Sequence, residues 1–444
     1  MENNVLAQSF TFKKTMKFTI PTMIMMIFLS LYTMVDGVFV SNLVGDLALT
    51  SLNVVYPYIS VILAIGIMLA SGGSAIIATN MGQKKTKEAK ENFTFIIVIS
   101  LFISFIIMVF SFAFIKHMIY FFGATDRIYE YCYDYLSIMI LTTPLSMLQL
   151  LFQTFFVTAG KPKLGLTLTI LGGLLNIFFD YLFVSQLQWG VKGAAWATSI
   201  GYSAVALYGL YYFSVHRHGP LYFIKPKWRF KTLSKACLNG MSEMINNLAV
   251  AITTYLFNVI GIFYLREEGV AAITIVLYAQ FIMTSIFIGY ATGIAPVFSY
   301  KYGANDQQQI HHVFKISVMF TGFVSLITFF LSFVLAKPIS MIFASNSPYV
   351  LNLSIHGFYL FAISFLFTGF NIFASALFTA FSNGKISGFL SFLRTFVFLV
   401  IALCLLPLWI GQDGIWLAVP VAEGCAIIFS FLAISRNKDI YYFY

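Results

Sequence analysis

The sequence predicts an all-α integral membrane protein: twelve transmembrane helices, arranged as two six-helix lobes related by a pseudo-twofold axis. Three observations predict it. Of 444 residues, 60% are hydrophobic and only 9% are charged, against about a quarter charged in soluble domains. Apolar runs of 18 or more residues recur from end to end, each long enough to cross hydrocarbon. Such runs must be helices, because lipid offers no partner for backbone polar groups; the short alternating segments of a membrane barrel are missing.

The helices are expected at 18–43, 53–80, 93–116, 131–158, 164–187, 191–214, 236–264, 271–300, 315–336, 351–381, 387–410 and 415–435. The first run is too long for a signal-peptide core and no small-residue cleavage site follows it, so it reads as a retained helix. The basic residues set the expected orientation. With the N-terminus inside, the inner segments hold Lys13, Lys14, Lys17, Lys84, Lys85, Lys87, Lys90, Lys161 and Lys163. The long central linker adds Arg217, Lys225, Lys227, Arg229, Lys231 and Lys235, while the outer segments are poor in Lys and Arg. This is the positive-inside pattern. It places both termini of a multi-pass protein in the cytoplasm; abundant Phe, Ile, Lys, Asn and Tyr suggest an AT-rich bacterial genome, so the expected location is the bacterial inner membrane. The net charge of +10 then reflects topology and contact with anionic lipid, not nucleic acid.

The linker divides the chain into an N-lobe at 1–215, a basic cytoplasmic segment at 216–235 and a C-lobe at 236–444. The halves repeat. A constant shift of 221 residues superposes Gly82 on Gly303, Ser71-Gly72 on Thr292-Gly293, Thr158-Ala159 on Thr379-Ala380, and Gly193 and Ala197 on Gly414 and Ala418. An even number of helices per half makes this a parallel repeat, a design that puts the substrate site between the halves.

An ionisable side chain inside a membrane costs about 2.5–3.5 kcal/mol on insertion scales and marks function by default. Asp36 (helix 1) and Asp180 (helix 5) fall at similar depth, roughly 10 Å below the outer surface at 1.5 Å per residue. Asn176 is one turn from Asp180 on the same face, and Thr198 (helix 6) enters to the same level. Two carboxylates, an amide and a hydroxyl form an oxygen-rich cation site. Close carboxylates in a low dielectric are neutralised by a proton or a small cation, so Na⁺ is possible there; read as packing, each polar group bonds a neighbouring helix.

Other intramembrane polar residues are possible cavity or coupling groups: Gln149, Gln153, Asn246, Gln280 and Asn371. Glu243, near the expected start of helix 7, reads first as a helix cap or headgroup contact. Arg394 and Glu423, on helices expected to be neighbours, read first as a structural ion pair. Pro21, Pro57, Gly66 and Gly289 are hinge candidates, with close helix packing as the alternative. The four cysteines (Cys132, Cys237, Cys404, Cys425) are scattered and suggest neither disulfides nor zinc. There is no phosphate-binding loop, no H-E-x-x-H and no plausible triad, so no enzyme and no cofactor beyond the coupling ion are expected.

The residues resemble the multidrug and toxic compound extrusion (MATE) family of cation-coupled antiporters over essentially the full chain. The stretches that carry the resemblance include Val35-Asp36-Gly37-Val38-Phe39-Val40-Ser41, Thr158-Ala159-Gly160-Lys161-Pro162, Asn176-Ile177-Phe178-Phe179-Asp180 and Gly190-Val191-Lys192-Gly193-Ala194-Ala195-Trp196-Ala197-Thr198. The resemblance implies two six-helix lobes around a central cavity and export of cationic or amphiphilic small molecules in exchange for H⁺ or Na⁺. In prokaryotic members an N-lobe cation site uses an Asp on helix 1, an Asn and an Asp four apart on helix 5, and a Thr on helix 6. Asp36, Asn176, Asp180 and Thr198 match one by one. Another branch uses acids in helices 7 and 10; helix 10 here has none, so coupling is expected in the N-lobe. A monomer is expected. Two other readings remain: a flippase for lipid-linked oligosaccharide or another amphiphilic lipid, disfavoured by the scarcity of basic residues in the spans, and a non-transporting membrane receptor or channel.

Overall fold

The computed structural model describes residues 4–44, 46–344 and 347–442; the side chains of residues 34–43, 46, 49, 251 and 267 lie outside that description. Among the described residues the chain forms twelve long helices. They are α1 (Phe12–Val44), α2 (Asp46–Gly82), α3 (Thr86–Phe121), the bent α4 (Tyr129–Leu141 and Thr143–Thr158), α5 (Pro162–Gln186) and α6 (Gly190–Val215), then α7 (Phe230–Arg266), α8 (Glu268–Gly303), α9 (Gln307–Ala344), α10 (Pro348–Ala380), α11 (Gly384–Ile410) and α12 (Asp413–Arg436). Ten helices, or eleven with bent α4 as one span, are long and apolar enough to cross a membrane. The remaining one, α6, is long enough but diluted by Gly, Ser, Thr and Tyr, which pack it closely against α4 and α5. This is the all-α membrane architecture expected.

Each expected segment matches one helix, two of them overrunning its end by one residue (187 and 381), but several helices start earlier. The clearest case is α7, which begins at Phe230 rather than near 236, because Phe230–Lys235 continues as an amphipathic turn whose lysines leave the apolar window. The bend of 57° in α4 falls at Thr142-Thr143, ahead of Pro144 at the start of the second half. There proline lacks the N–H that would continue the hydrogen-bond ladder. Tyr58 of α2 and Ser199 of α6 bond the two threonine hydroxyls of this corner at 2.8 and 2.9 Å.

Many buried hydroxyls are satisfied inside their own helices. In α9, Ser317, Thr321 and Ser332 donate to carbonyls one turn back at 2.7–2.8 Å, so polar side chains sit in apolar surroundings without an open donor. The apolar core of the first half centres on a ring cluster in which Phe93, Phe152, Phe156, Phe213 and Phe223 stack at 4.8–6.5 Å. A second core in the other half includes Phe257, Phe358, Phe361, Phe365 and Trp416.

The repeat read from sequence is visible in the backbone. Lys84 and Asn305 adopt the same left-handed conformation (φ 61° and 58°), as do Gly190 and Gly411 (φ 58° and 62°); both pairs obey the shift that relates Gly82 to Gly303. The halves meet through α2 against α7–α8 and α1 against α8. The first and last described residues lie at one end of the molecule, beside the basic turns. Asn4 and Val5 touch Met81 and Gly160, and Tyr441 accepts from Asn383 at 3.0 Å.

Candidate functional site

Asp180 is the last residue of the regular α-helical part of α5. It is 1% exposed and is followed by a π-turn over Tyr181–Gln186, a widening of the helix that often accompanies functional positions. One turn earlier Asn176 is also buried, and its amide Nδ2 donates to Thr198 Oγ1 of α6 at 3.3 Å. The helices can approach so closely because Gly172 and Gly201 face each other: a Cβ on either would stand 2.7–2.9 Å from the other's carbonyl oxygen. Asn176 is four residues after Gly172 and Thr198 three before Gly201, so each polar side chain is carried by the face that its glycine brings into contact.

The other amide atom of Asn176, Oδ1, is buried and has no hydrogen-bond partner among the described residues. Such an orphaned acceptor costs about 1–3 kcal/mol. Beside it is a partly open cavity of about 20 Å³, whose polar lining is Gln149 of α4, Thr169 and Asn176 of α5, Thr198 and Tyr202 of α6 and Tyr32 of α1, within a mostly apolar wall that includes Leu29 and Val205. That volume admits one water or one small desolvated cation. The donor set is all oxygen, with no sulfur or imidazole, and suits a hard ion or a proton.

Asn176 and Thr198 are therefore brought together, Gln149 shares their cavity, and Asp180 lies one turn further along α5. Asp36 lies on α1, which packs along α5, but its side chain lies outside the described residues. Gln153 instead ties two helices together, its Nε2 donating to Thr169 Oγ1 at 2.9 Å and so joining α4 to α5. Thr169, Tyr32, Tyr202 and the glycine pair were not singled out from sequence. The Gly172–Asn176 spacing is the one signal that could have found them.

The second half holds a separate polar chain. Asn371 of α10 donates through Nδ2 to Glu423 Oε2 of α12 at 2.6 Å and accepts from Ser430 at 2.8 Å. Arg394 lies in a π-turn of α11 (Leu393–Phe398), 3.6 Å from Glu423 Oε1, and donates to Asn246 Oδ1 of α7 at 3.3 Å. The expected Arg394–Glu423 pair is thus formed. Glu243 differs from its first reading as a cap or headgroup contact. Because α7 starts at Phe230, Glu243 sits well inside the helix, half-buried beside Asn246 and within the field of Arg394. Gln280 is half-buried on α8. Ser430 was missed, although it follows Glu423 by two helical turns on one face.

Of the hinge candidates, Pro21 and Pro57 lie within α1 and α2, which run on through them. Gly66 packs against Leu150 and Met147 of α4, and Gly289 against the backbone of Thr22 and Met23 of α1. Both glycines thus have a close-packing reason.

Comparison with known proteins gives a consistent picture. The MatE family model matches residues 21–182 and 241–405. Multidrug export protein MepA of Staphylococcus haemolyticus is 22% identical, with 97% of this chain and 95% of that protein aligned. MepA of Staphylococcus aureus is 20% identical over 96% and 94%. Among solved structures, a MATE crystal structure in complex with MaL6 superposes with a TM-score of 0.94 at 21% identity, covering 99% of both chains. An outward-facing multidrug resistance MATE family transporter of the MOP superfamily gives 0.93 at 22% identity, also over 99% of both.

Proposed function

The chain belongs to the MatE family, as a multi-pass membrane transport protein and not an enzyme, and from that premise we propose that it is a secondary antiporter exporting cationic or amphiphilic compounds. H⁺ or Na⁺ entering at Asp36, Asn176, Asp180 and Thr198 drives export. The basic end faces the cytoplasm of a bacterial cell, with both termini inside.

The observation that carries this reading is the orphaned Asn176 Oδ1 beside the buried Asp180 and an ion-sized cavity. A small cation or a proton entering there neutralises acid charge and supplies the partner that oxygen lacks. Binding at the site changes how α1, α5 and α6 pack. A drug in the central cavity need not touch the ion; each has only to prefer a different packing state. The multidrug export named for the MepA relatives agrees with this class of substrate.

The test is efflux of a fluorescent organic cation from proteoliposomes carrying either a proton or a sodium gradient. Efflux should follow one gradient and collapse when that gradient is dissipated. Asp36→Asn and Asp180→Asn should each abolish gradient-driven efflux while leaving drug binding intact. Wild-type rates in both variants would rule out coupling at this site.

A further inference from the structure

The segment joining the halves is not a free tether. Leu221 is buried, the Phe223 N–H donates to Phe213 O at 3.0 Å, and the Phe223 ring stacks on Phe93. The Ile224 N–H donates to Thr94 Oγ1 at 3.2 Å, and Arg229 pairs with both Glu88 and Glu91 of α3. The linker is thereby fixed along the foot of α3, and between the two is an open cavity of about 670 Å³.

The walls of this cavity carry Lys87 and Lys90 from α3 and Lys225 and Lys227 from the linker. Glu91, its one acidic wall residue, is paired with Arg229, which it shares with Glu88. Lys87, Lys225 and Lys227 have no carboxylate partner among the described residues. Lys90 is 8% exposed, with its ammonium 4.0 Å from the centroid of the Tyr222 ring. The ammonium groups of Lys87, Lys225 and Lys227 around one space repel each other unless an anion occupies it. The first turn of α3, beginning at Thr86 in the cavity wall, has no side-chain cap and adds a weaker attraction of the same sign.

The rim indicates where the anion comes from. Along Lys225-Pro226-Lys227-Trp228-Arg229-Phe230 basic residues alternate with a proline and two aromatic residues. Trp228 and Phe230 project outward, 58% and 68% exposed, at the foot of the membrane-spanning helices. Tryptophan at the end of a span lodges at headgroup depth, and a basic recess at that depth fits an anionic lipid.

We propose that this cavity binds the phosphate headgroup of an anionic phospholipid, held by Lys87, Lys90, Lys225 and Lys227. The bound headgroup bridges α3 and the linker, which is the covalent joint between the halves. Lipid charge thereby stiffens the joint about which the halves must move.

Native mass spectrometry of the purified chain with phosphatidylglycerol or phosphatidylcholine tests the site. Near an anionic surface each lysine contributes roughly fivefold in affinity, so Lys87→Ala, Lys225→Ala and Lys227→Ala combined should weaken phosphatidylglycerol binding about 100-fold. Lys13→Ala, Lys14→Ala and Lys17→Ala combined remove the same charge from exposed positions at the start of α1 and should leave it unchanged. A photoactivatable phosphatidylglycerol should label residues 222–228 of the unaltered protein, a readout that needs no variant to fold. Equal lipid retention by both triple variants, labelling only elsewhere, or displacement by inorganic phosphate as effective as by the lipid would each overturn the proposal.

Discussion

Gly82 and Gly303 press bare Cα atoms against each other's helices across the boundary between the halves: a methyl on Gly82 would overlap the Tyr300 carbonyl oxygen, and one on Gly303 that of Thr79. The contact is reciprocal under the internal repeat, since the shift carrying Gly82 to Gly303 also carries Thr79 to Tyr300. Gly72 and Gly240 extend the seam, the first against the Ala236 carbonyl and the second against that of Met68. Overpacking a tight contact costs about 1–3 kcal/mol, so Gly82→Ala should shift the halves roughly 5–150-fold toward separation at this end. Ala236, fully buried, is the reporter. An Ala236→Cys thiol should react with a membrane-impermeant maleimide in the Gly82→Ala background and not without it. Adding Gly303→Ala should increase labelling less than additively, because either methyl opens the same seam. Absence of labelling in both would show that the glycines do not hold the halves together.

The N-terminal segment closes the same end. Asn4 and Val5 contact Met81 and Gly160 of the first half. On the other half, the Phe10 N–H donates to Gln309 Oε1 at 2.7 Å and the buried Lys301 donates to Ala7 O at 3.3 Å. Leu6 and Phe10 are wholly buried, each contributing about 1.5–3 kcal/mol of apolar burial. Leu6→Asp should therefore release the segment and raise Ala236→Cys labelling at least tenfold, with Thr11→Ser, an exposed neighbour, as the silent control. An unchanged labelling rate in Leu6→Asp would mean the segment merely rests on the seam.

These bridging contacts were hidden in the sequence because Leu6 and Phe10 lie in a polar stretch with no helical period to mark them. The twelve helices were legible, since the apolar window reports what lipid demands of a backbone. Their ends were less so: Lys231 and Lys235 look like loop but lie on the first turns of α7. The Asn176–Asp180 spacing pointed to a shared face, and the structure places Asn176 Nδ2 on Thr198 Oγ1. The cavity beside them was not legible, because a void is set by how α5 and α6 approach at Gly172 and Gly201. The link between Asn371 and Ser430 joins distant helices, and no local pattern encodes it.

In the second half, Glu423 accepts from Asn371 and faces Arg394 inside the helix bundle. Removing one partner of a buried ion pair leaves the other charge uncompensated and costs about 3–5 kcal/mol. Glu423→Gln should lower the melting temperature of the detergent-solubilised protein by several degrees. Arg394→Met together with Glu423→Leu should recover part of that loss, because neither partner of the pair is left as an uncompensated charge, although Glu243 loses the field of Arg394. If the double variant also exports at the normal rate, the pair is structural. A stable double variant without transport would assign these residues to the transport cycle.

The orphaned oxygen of Asn176 gives the sharpest test of the proposed ion site, because its removal should have opposite effects on the empty and loaded protein. Without an ion, Asn176 Oδ1 is buried and unpaired, a penalty of about 1–3 kcal/mol. Asn176→Leu deletes that penalty along with the Nδ2 bond to Thr198, worth about 1 kcal/mol, so the ion-free variant should be no less stable than the parent. The parent, however, should gain stability as the coupling ion is added, following RT ln(1 + [L]/Kd), about 2.7 kcal/mol at a hundredfold excess over Kd. In Asn176→Leu one ligand of the ion is gone, and this gain should shrink by at least half. Melting curves at fixed pH with Na⁺ against K⁺, and at fixed salt across pH, measure both effects. A shift specific to Na⁺ identifies sodium as the coupling ion, and one specific to acid identifies the proton. An ion-dependent gain as large in Asn176→Leu as in the parent would place the ion elsewhere and detach Asn176 from coupling.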